Sequence, residues 1–158
     1  MLFLGMLISC SEDIQVNNDP TVQGLKDNVA WEAYTSTAVA TETSVNLVGI
    51  GDNQSVTLKM KLPDYFITQT DELTYIKYEL GTDFTNQATY ATVINGVDYL
   101  YQTGAEVGDG EIVITNYDGV TISGTFRFNA VNTDEDSEEA EIVNFSKGVF
   151  YKIPLTFN

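Results

Sequence analysis

The feature that most constrains this chain is a two-residue alternation of apolar and polar side chains, returning again and again between short turn signals. Over residues 55–62, Val56, Leu58, Met60 and Leu62 fall on one side, and Ser55, Thr57, Lys59 and Lys61 on the other. Successive side chains of a β-strand point to opposite faces, so this run predicts a strand with one buried and one wet face. Residues 73–80 repeat the pattern, with Ile76, Tyr78 and Leu80 against Tyr75, Lys77 and Glu79. Residues 122–130 do so again, with Ile122, Phe126, Phe128 and Ala130 opposite Ser123, Thr125, Arg127 and Asn129. Gly124, inside that run, marks a bulge or a close backbone approach.

Further strands are expected at 30–34, 45–50, 88–94, 99–103, 111–117, 141–145 and 149–157. Gly51-Asp52-Asn53, Asn95-Gly96, Gly108-Asp109-Gly110 and Asp118-Gly119 separate them with residues that tolerate positive φ. Asn95-Gly96 and Asp118-Gly119 predict two-residue type I′ hairpins, whose two central residues both need positive φ. Pro63 ends one strand, and a short helical turn is expected at 66–72. Sustained 3.6-residue spacing is absent. Short strands joined by hairpins give an all-β fold, an antiparallel β-sandwich, with a lipocalin-like β-barrel as the alternative. At 158 residues there is room for one domain with a real core, placed at 25–158.

Charge and composition exclude several functions. Acidic residues number 23 and basic residues 7, for a net charge of −16. So acidic a domain repels phosphate backbones, so no nucleic-acid partner is expected. Anionic headgroups would repel it too, so membrane attachment should be covalent. There is no histidine, which removes Ser-His-Asp and Cys-His catalysis, histidine general bases and histidine-ligated metals. The single cysteine leaves no intramolecular disulfide and no cysteine-rich zinc site. No cofactor and no metal are expected.

Residues 1–9, Met-Leu-Phe-Leu-Gly-Met-Leu-Ile-Ser, are apolar and uncharged, and Cys10 follows at once. The stretch is too short to span a bilayer and matches the apolar region of a signal peptide. Leu7-Ile8-Ser9-Cys10 resembles the lipobox of bacterial lipoproteins. The resemblance implies cleavage before Cys10 and lipidation of its sulfur. No basic residue precedes Cys10, although a secretory leader opens on Lys or Arg, which leaves open whether the true start lies upstream of Met1. Ser11-Glu12-Asp13 resembles the acidic surface-export signal of Bacteroidota lipoproteins. Residues 10–24 are polar and aperiodic, and read as the lipidated cysteine followed by a flexible tether.

Three groups of residues are candidates for chemistry. The acidic run 132–141 offers oxygen ligands at alternating positions, but Ser137 and Val143 stand where an EF-hand needs glycine and glutamate. It reads as a solvated hairpin loop. Paired carboxylates would serve glycoside hydrolysis, yet no spacing singles out a pair. Trp31, Tyr34, Tyr99 and Tyr101 are the candidate ligand-binding aromatics, weighed against core and cross-strand packing.

Lys26-Asp27-Asn28-Val29-Ala30-Trp31-Glu32-Ala33 resembles the opening segment of a Bacteroidota lipoprotein family of unknown function. The likeness continues through 110–115, Tyr117-Asp118, 122–126, Lys147-Gly148-Val149-Phe150 and Ile153-Pro154-Leu155. It implies an all-β domain behind a lipobox leader, and the family has no assigned activity to carry over. The expected function is a non-catalytic, lipid-anchored domain of the outer membrane or cell surface, with a binding or structural role and a glycan or protein ligand. The alternatives are a glycan-binding accessory lipoprotein of an outer-membrane uptake system and, more distantly, a carboxylate-dependent hydrolase.

Overall fold

The computed structural model describes residues 19–68 and 74–158; the leader, Cys10 and residues 11–18 of the tether lie outside them. The described residues form eleven strands: β1 (Thr21–Lys26), β2 (Val29–Glu32), β3 (Thr35–Ala40), β4 (Ser44–Gly51), β5 (Gln54–Lys61), β6 (Ile76–Leu80), β7 (Gln87–Ile94), β8 (Val97–Gln102), β9 (Asp109–Tyr117), β10 (Thr121–Asn132) and β11 (Ile142–Phe157). There is no helix among them.

The strands pair in the order β2-β1-β11-β3-β4-β5-β7-β8-β10-β9-β6, and β10 pairs with β11 as well. This is an all-β sandwich. All eleven strands join in one mixed hydrogen-bonded sheet, which folds over the core so that β2-β1-β11-β10-β9-β6 forms one layer and β3-β4-β5-β7-β8 the other. The layers share two corners. At one, Leu155, Thr156 and Phe157 leave the first layer and pair in parallel with Ala38, Val39 and Ala40. At the other, Val131 and Asn132 pair with Gln102 and Tyr101. Strands that change layer in this way close a sandwich at its corners.

Alternation decides what lies between the layers. Val45, Leu47, Val56, Leu58, Met60, Ala88 and Tyr90 point inward from one side, and Ile112, Ile114, Phe126, Phe128, Phe145 and Phe150 from the other; all are buried. The rings interlock. Phe145 stacks on Phe128 at 4.8 Å, and Trp31 meets Phe145 edge-on at 5.8 Å.

Several local expectations hold. Asn95 and Gly96 have φ of 52° and 78° and close a two-residue turn between paired Ile94 and Val97, as a type I′ hairpin requires. Gly124 sits at a register shift on both sides of β10. A Cβ there would stand 2.0 Å from the Val113 carbonyl oxygen, so only glycine lets the strands approach.

Other expectations need correction. The tether read at 10–24 overlaps β1, whose Val22 is fully buried. One apolar residue between polar ones gave no visible period there. β3 was missed beyond residue 34 because its inward side chains are the small Ala38 and Ala40. The expected strands 141–145 and 149–157 are one strand, β11, interrupted by a bulge at Ser146 and Lys147, where Lys147 has φ of 49°. Ile67, placed in a helical turn at 66–72, instead bridges Tyr117; residues 69–72 lie outside the described residues, as does Leu73 at the start of the 73–80 run. Asp118-Gly119 is not a type I′ turn. Gly119 has φ of 84°, but Asp118 is not in the positive region, and the loop runs over three residues before Thr121. The Asp118 carboxylate selects that shape by accepting the N–H groups of Val120 and Thr121.

Candidate functional site

The four candidate aromatics do not form one platform. Trp31 and Tyr101 are buried core residues. Tyr99 lies on the inner face of β8 beside Tyr101, half-buried and packed against the core. Tyr34 alone is open, at 73% exposure, in the link between β2 and β3. Tyr90, a residue the sequence did not single out, lies at the centre of the aromatic packing. Its hydroxyl donates to Gln54 Oε1 at 2.9 Å, and the Lys26 ammonium stands 5.3 Å above its ring. Burial pushes the Lys26 pKa down but is outweighed by the Asp27 carboxylate and by the Tyr90 and Tyr101 side chains, and the result is a raised value.

Three carboxylates, Glu111, Asp118 and Asp27, are held in the ionised form by their neighbours. Lys77 and Arg127 hold the Glu111 carboxylate from two sides, at 2.9 and 3.1 Å, and the Lys77 hydrogen bond is the main reason its pKa is lowered. The Thr121 and then the Val120 amide lower Asp118. At Asp27 burial acts upward but is outweighed by the Lys26 ammonium and the Asn144 amide, and the result is a lowered value. A glycosidase acid needs the opposite shift.

The acidic loop of 132–141 borders a depression of about 580 Å³ that Asp134, Glu135, Ser137, Glu139 and Glu141 line. Three of its side-chain oxygens shape the loop. Asn132 Oδ1 accepts the Asp134 N–H, Asp134 Oδ1 accepts the Asp136 N–H, and Ser137 Oγ accepts the Glu139 N–H. Among the described residues no three Asp, Glu, Cys or His side chains converge on a point that would hold a cation.

The unusual surface is the outer face of the five-stranded layer. Its register can be read row by row. One row is Val39, Asn46, Lys59 and Gln87; the next is Thr37, Val48, Thr57, Thr89 and Gln102. The third is Thr35, Ile50, Ser55, Ala91 and Leu100, and Val93 pairs with Asp98 beyond it. In a chain with 23 acidic residues, Asp98 is the one carboxylate in these rows. Val48, Ile50, Ala91, Val93 and Leu100 line a shallow depression of about 530 Å³ in its middle. Tyr34 joins its margin, donating its backbone N–H to the Ile50 carbonyl at 2.7 Å.

Sequence reasoning missed this face. Its trace lies in the run Val45-Asn46-Leu47-Val48-Gly49-Ile50, which is apolar on both sides of the strand rather than on one. Depletion of charge around an apolar centre is the compositional mark of an interaction surface.

A family described as a domain of unknown function matches residues 18–154. No curated protein and no solved structure matches the chain.

Proposed function

The chain belongs to that family, DUF6252, and from this premise we propose that it is a bacterial lipoprotein, of Bacteroidota type, whose domain binds an uncharged partner at the outer membrane or cell surface and catalyses nothing. The observation that carries the reading is the outer face of the five-stranded layer. A net charge of −16 keeps the rest of the protein soluble and apart from its neighbours, while this face holds Ile50, Val93 and Leu100 exposed, with Val48 and Ala91 half-buried between them, among hydroxyls and amides. The anchor rests on the apolar leader that meets the one cysteine at Cys10. The absence of histidine and the lowered carboxylates argue for recognition over turnover.

A glycan-binding accessory role beside an outer-membrane importer is the second reading. Tyr34, exposed at the margin of the face, favours it, because an aromatic ring stacks on the apolar face of a sugar.

The test has two arms. Cys10→Ala should move the protein from the membrane fraction to the soluble one. On a glycan array and against purified envelope proteins, binding should be lost in Ile50→Glu and Leu100→Glu, with melting unchanged. Turnover of a glycosidase or esterase substrate that disappears with one carboxylate would overturn the non-catalytic reading.

A further inference from the structure

We infer that the domain rests one end of its six-stranded layer on the bilayer interface, with Phe66 and Val120 as the residues that enter it. The inference deepens the lipid-anchored reading above and depends on it. Three strands fix which end is meant. Thr21, where β1 begins, pairs with Tyr151; Thr121, where β10 begins, pairs with Pro154; and Ile122 pairs with Tyr117 at the end of β9. The end where the chain leaves the tether is therefore the end that carries the 118–120 loop.

That end is apolar and open. Val120 is 68% exposed and Phe66 is 66% exposed. Phe66 is nonetheless held in place. Its ring lies over Gly119 and meets the Tyr117 ring edge-on at 5.7 Å. Ile67 next to it is pinned to Tyr117 by a pair of backbone hydrogen bonds of 2.8 Å. Tyr75, just before β6, is exposed along the same end, since Ile76 pairs with Ile114 near the close of β9. A rigid, open phenylalanine with tyrosine and valine beside it suits the headgroup level of a membrane, where aromatic rings have an apolar body to bury.

Two of the carboxylates there are engaged. Asp118 gives its carboxylate to the amides of its own loop, and Asp64 is paired with Lys61 at 2.9 Å. Chain length selects the bilayer as the occupant. The eleven residues from Cys10 to Thr21 reach at most about 40 Å when fully extended. A compact domain of this size is itself roughly 35–40 Å across. An acyl chain on Cys10 thus keeps this end within reach of the membrane at all times, and a weak apolar contact becomes effective by proximity.

The experiment uses the full acylated chain in phosphatidylcholine–phosphatidylethanolamine vesicles. Cys10 is consumed by acylation, so Val120→Cys, Tyr75→Cys and Val97→Cys each carry a single environment-sensitive label, Val97 being exposed in the hairpin of the other layer. The mass of the Cys10 peptide is measured first. If it carries no diacylglycerol, the lipoprotein reading fails and this inference with it. If it does, aqueous iodide should quench the labels at 120 and 75 at least about threefold less than the label at 97, with blue-shifted emission. Equal quenching at all three sites on an acylated protein overturns the inference and leaves the anchor standing.

Discussion

Tyr90 on β7 and Phe145 on β11 face each other across the sandwich with ring centroids 5.4 Å apart, tilted by 55°. Phe145 also touches Trp31, Phe126 and Phe128, so one side chain ties the second layer to the aromatic cluster of the first. Phe145→Ala should cost about 3–5 kcal/mol, because the cavity it leaves lies between two layers that cannot both relax. Urea unfolding monitored by circular dichroism measures it. A loss under about 1 kcal/mol would mean that the layers close without this contact.

Gly124 and Gly96 separate two reasons for having no side chain. At Gly96 a Cβ would meet nothing within 4 Å, and only the φ of 78° opposes it. At Gly124 the backbone is unstrained in φ, but a Cβ would collide with the Val113 carbonyl and the Phe150 ring. Gly96→Ala should cost roughly 1 kcal/mol. Gly124→Ala should cost about 3 kcal/mol or more, since backbone must move. Reversal of that order in thermal melts would contradict the register described for β9 and β10.

Asp118 supplies a pH test. Its folded pKa is lowered, so its ionised form stabilises the fold above the unfolded carboxylate value of about 3.9, and that stabilisation is lost as the pH falls through the lower, folded value. Asp118→Ala should therefore be less stable than the parent near neutral pH by at most about 1 kcal/mol, the site being exposed. The gap between the two should close in acid. A gap that persists at a pH well below the carboxylate range would assign the effect to something other than charge.

Calcium should be inert. Among the described residues no three carboxylates converge on a point that would hold a cation, and a ligand stabilises a protein only by binding its folded state. Millimolar calcium, or a chelator, should shift the melting temperature by less than about 1 °C. A rise of several degrees with calcium would restore the loop as a metal site.

The fold was legible where side chains were large and alternated. Val56, Leu58 and Met60 announced β5, and Phe126 and Phe128 announced β10, because each inward position carries a large apolar group. It was illegible where burial is achieved with little volume, as at Ala38 and Ala40 in β3, or with one residue, as at Val22 in β1. Turn chemistry was read from runs containing glycine, which found Asn95-Gly96. The link between β1 and β2 went unread because Asp27 and Asn28, neither a glycine, adopt φ of 48° and 65° there. The candidate site was hardly visible. Aromatic residues drew attention, yet Trp31 and Tyr101 are core, while the open face depends on which neighbours Ile50, Ala91 and Leu100 meet across three strands. Periodicity within a strand carries no record of pairing between strands.

The corner at which Leu155, Thr156 and Phe157 pair with Ala38, Val39 and Ala40 also sets an order of events. Together with the corner at Val131 and Asn132, it makes the pairing circular: β11, β3, β4, β5, β7, β8, β10 and back to β11. The ring cannot shut until residues 155–157 have left the ribosome, and closing it brings together segments more than a hundred positions apart. Topologies dominated by such distant contacts fold slowly, in milliseconds to seconds. In the proposed lipoprotein, which would cross a membrane unfolded, that delay would keep the chain open until it meets the export machinery.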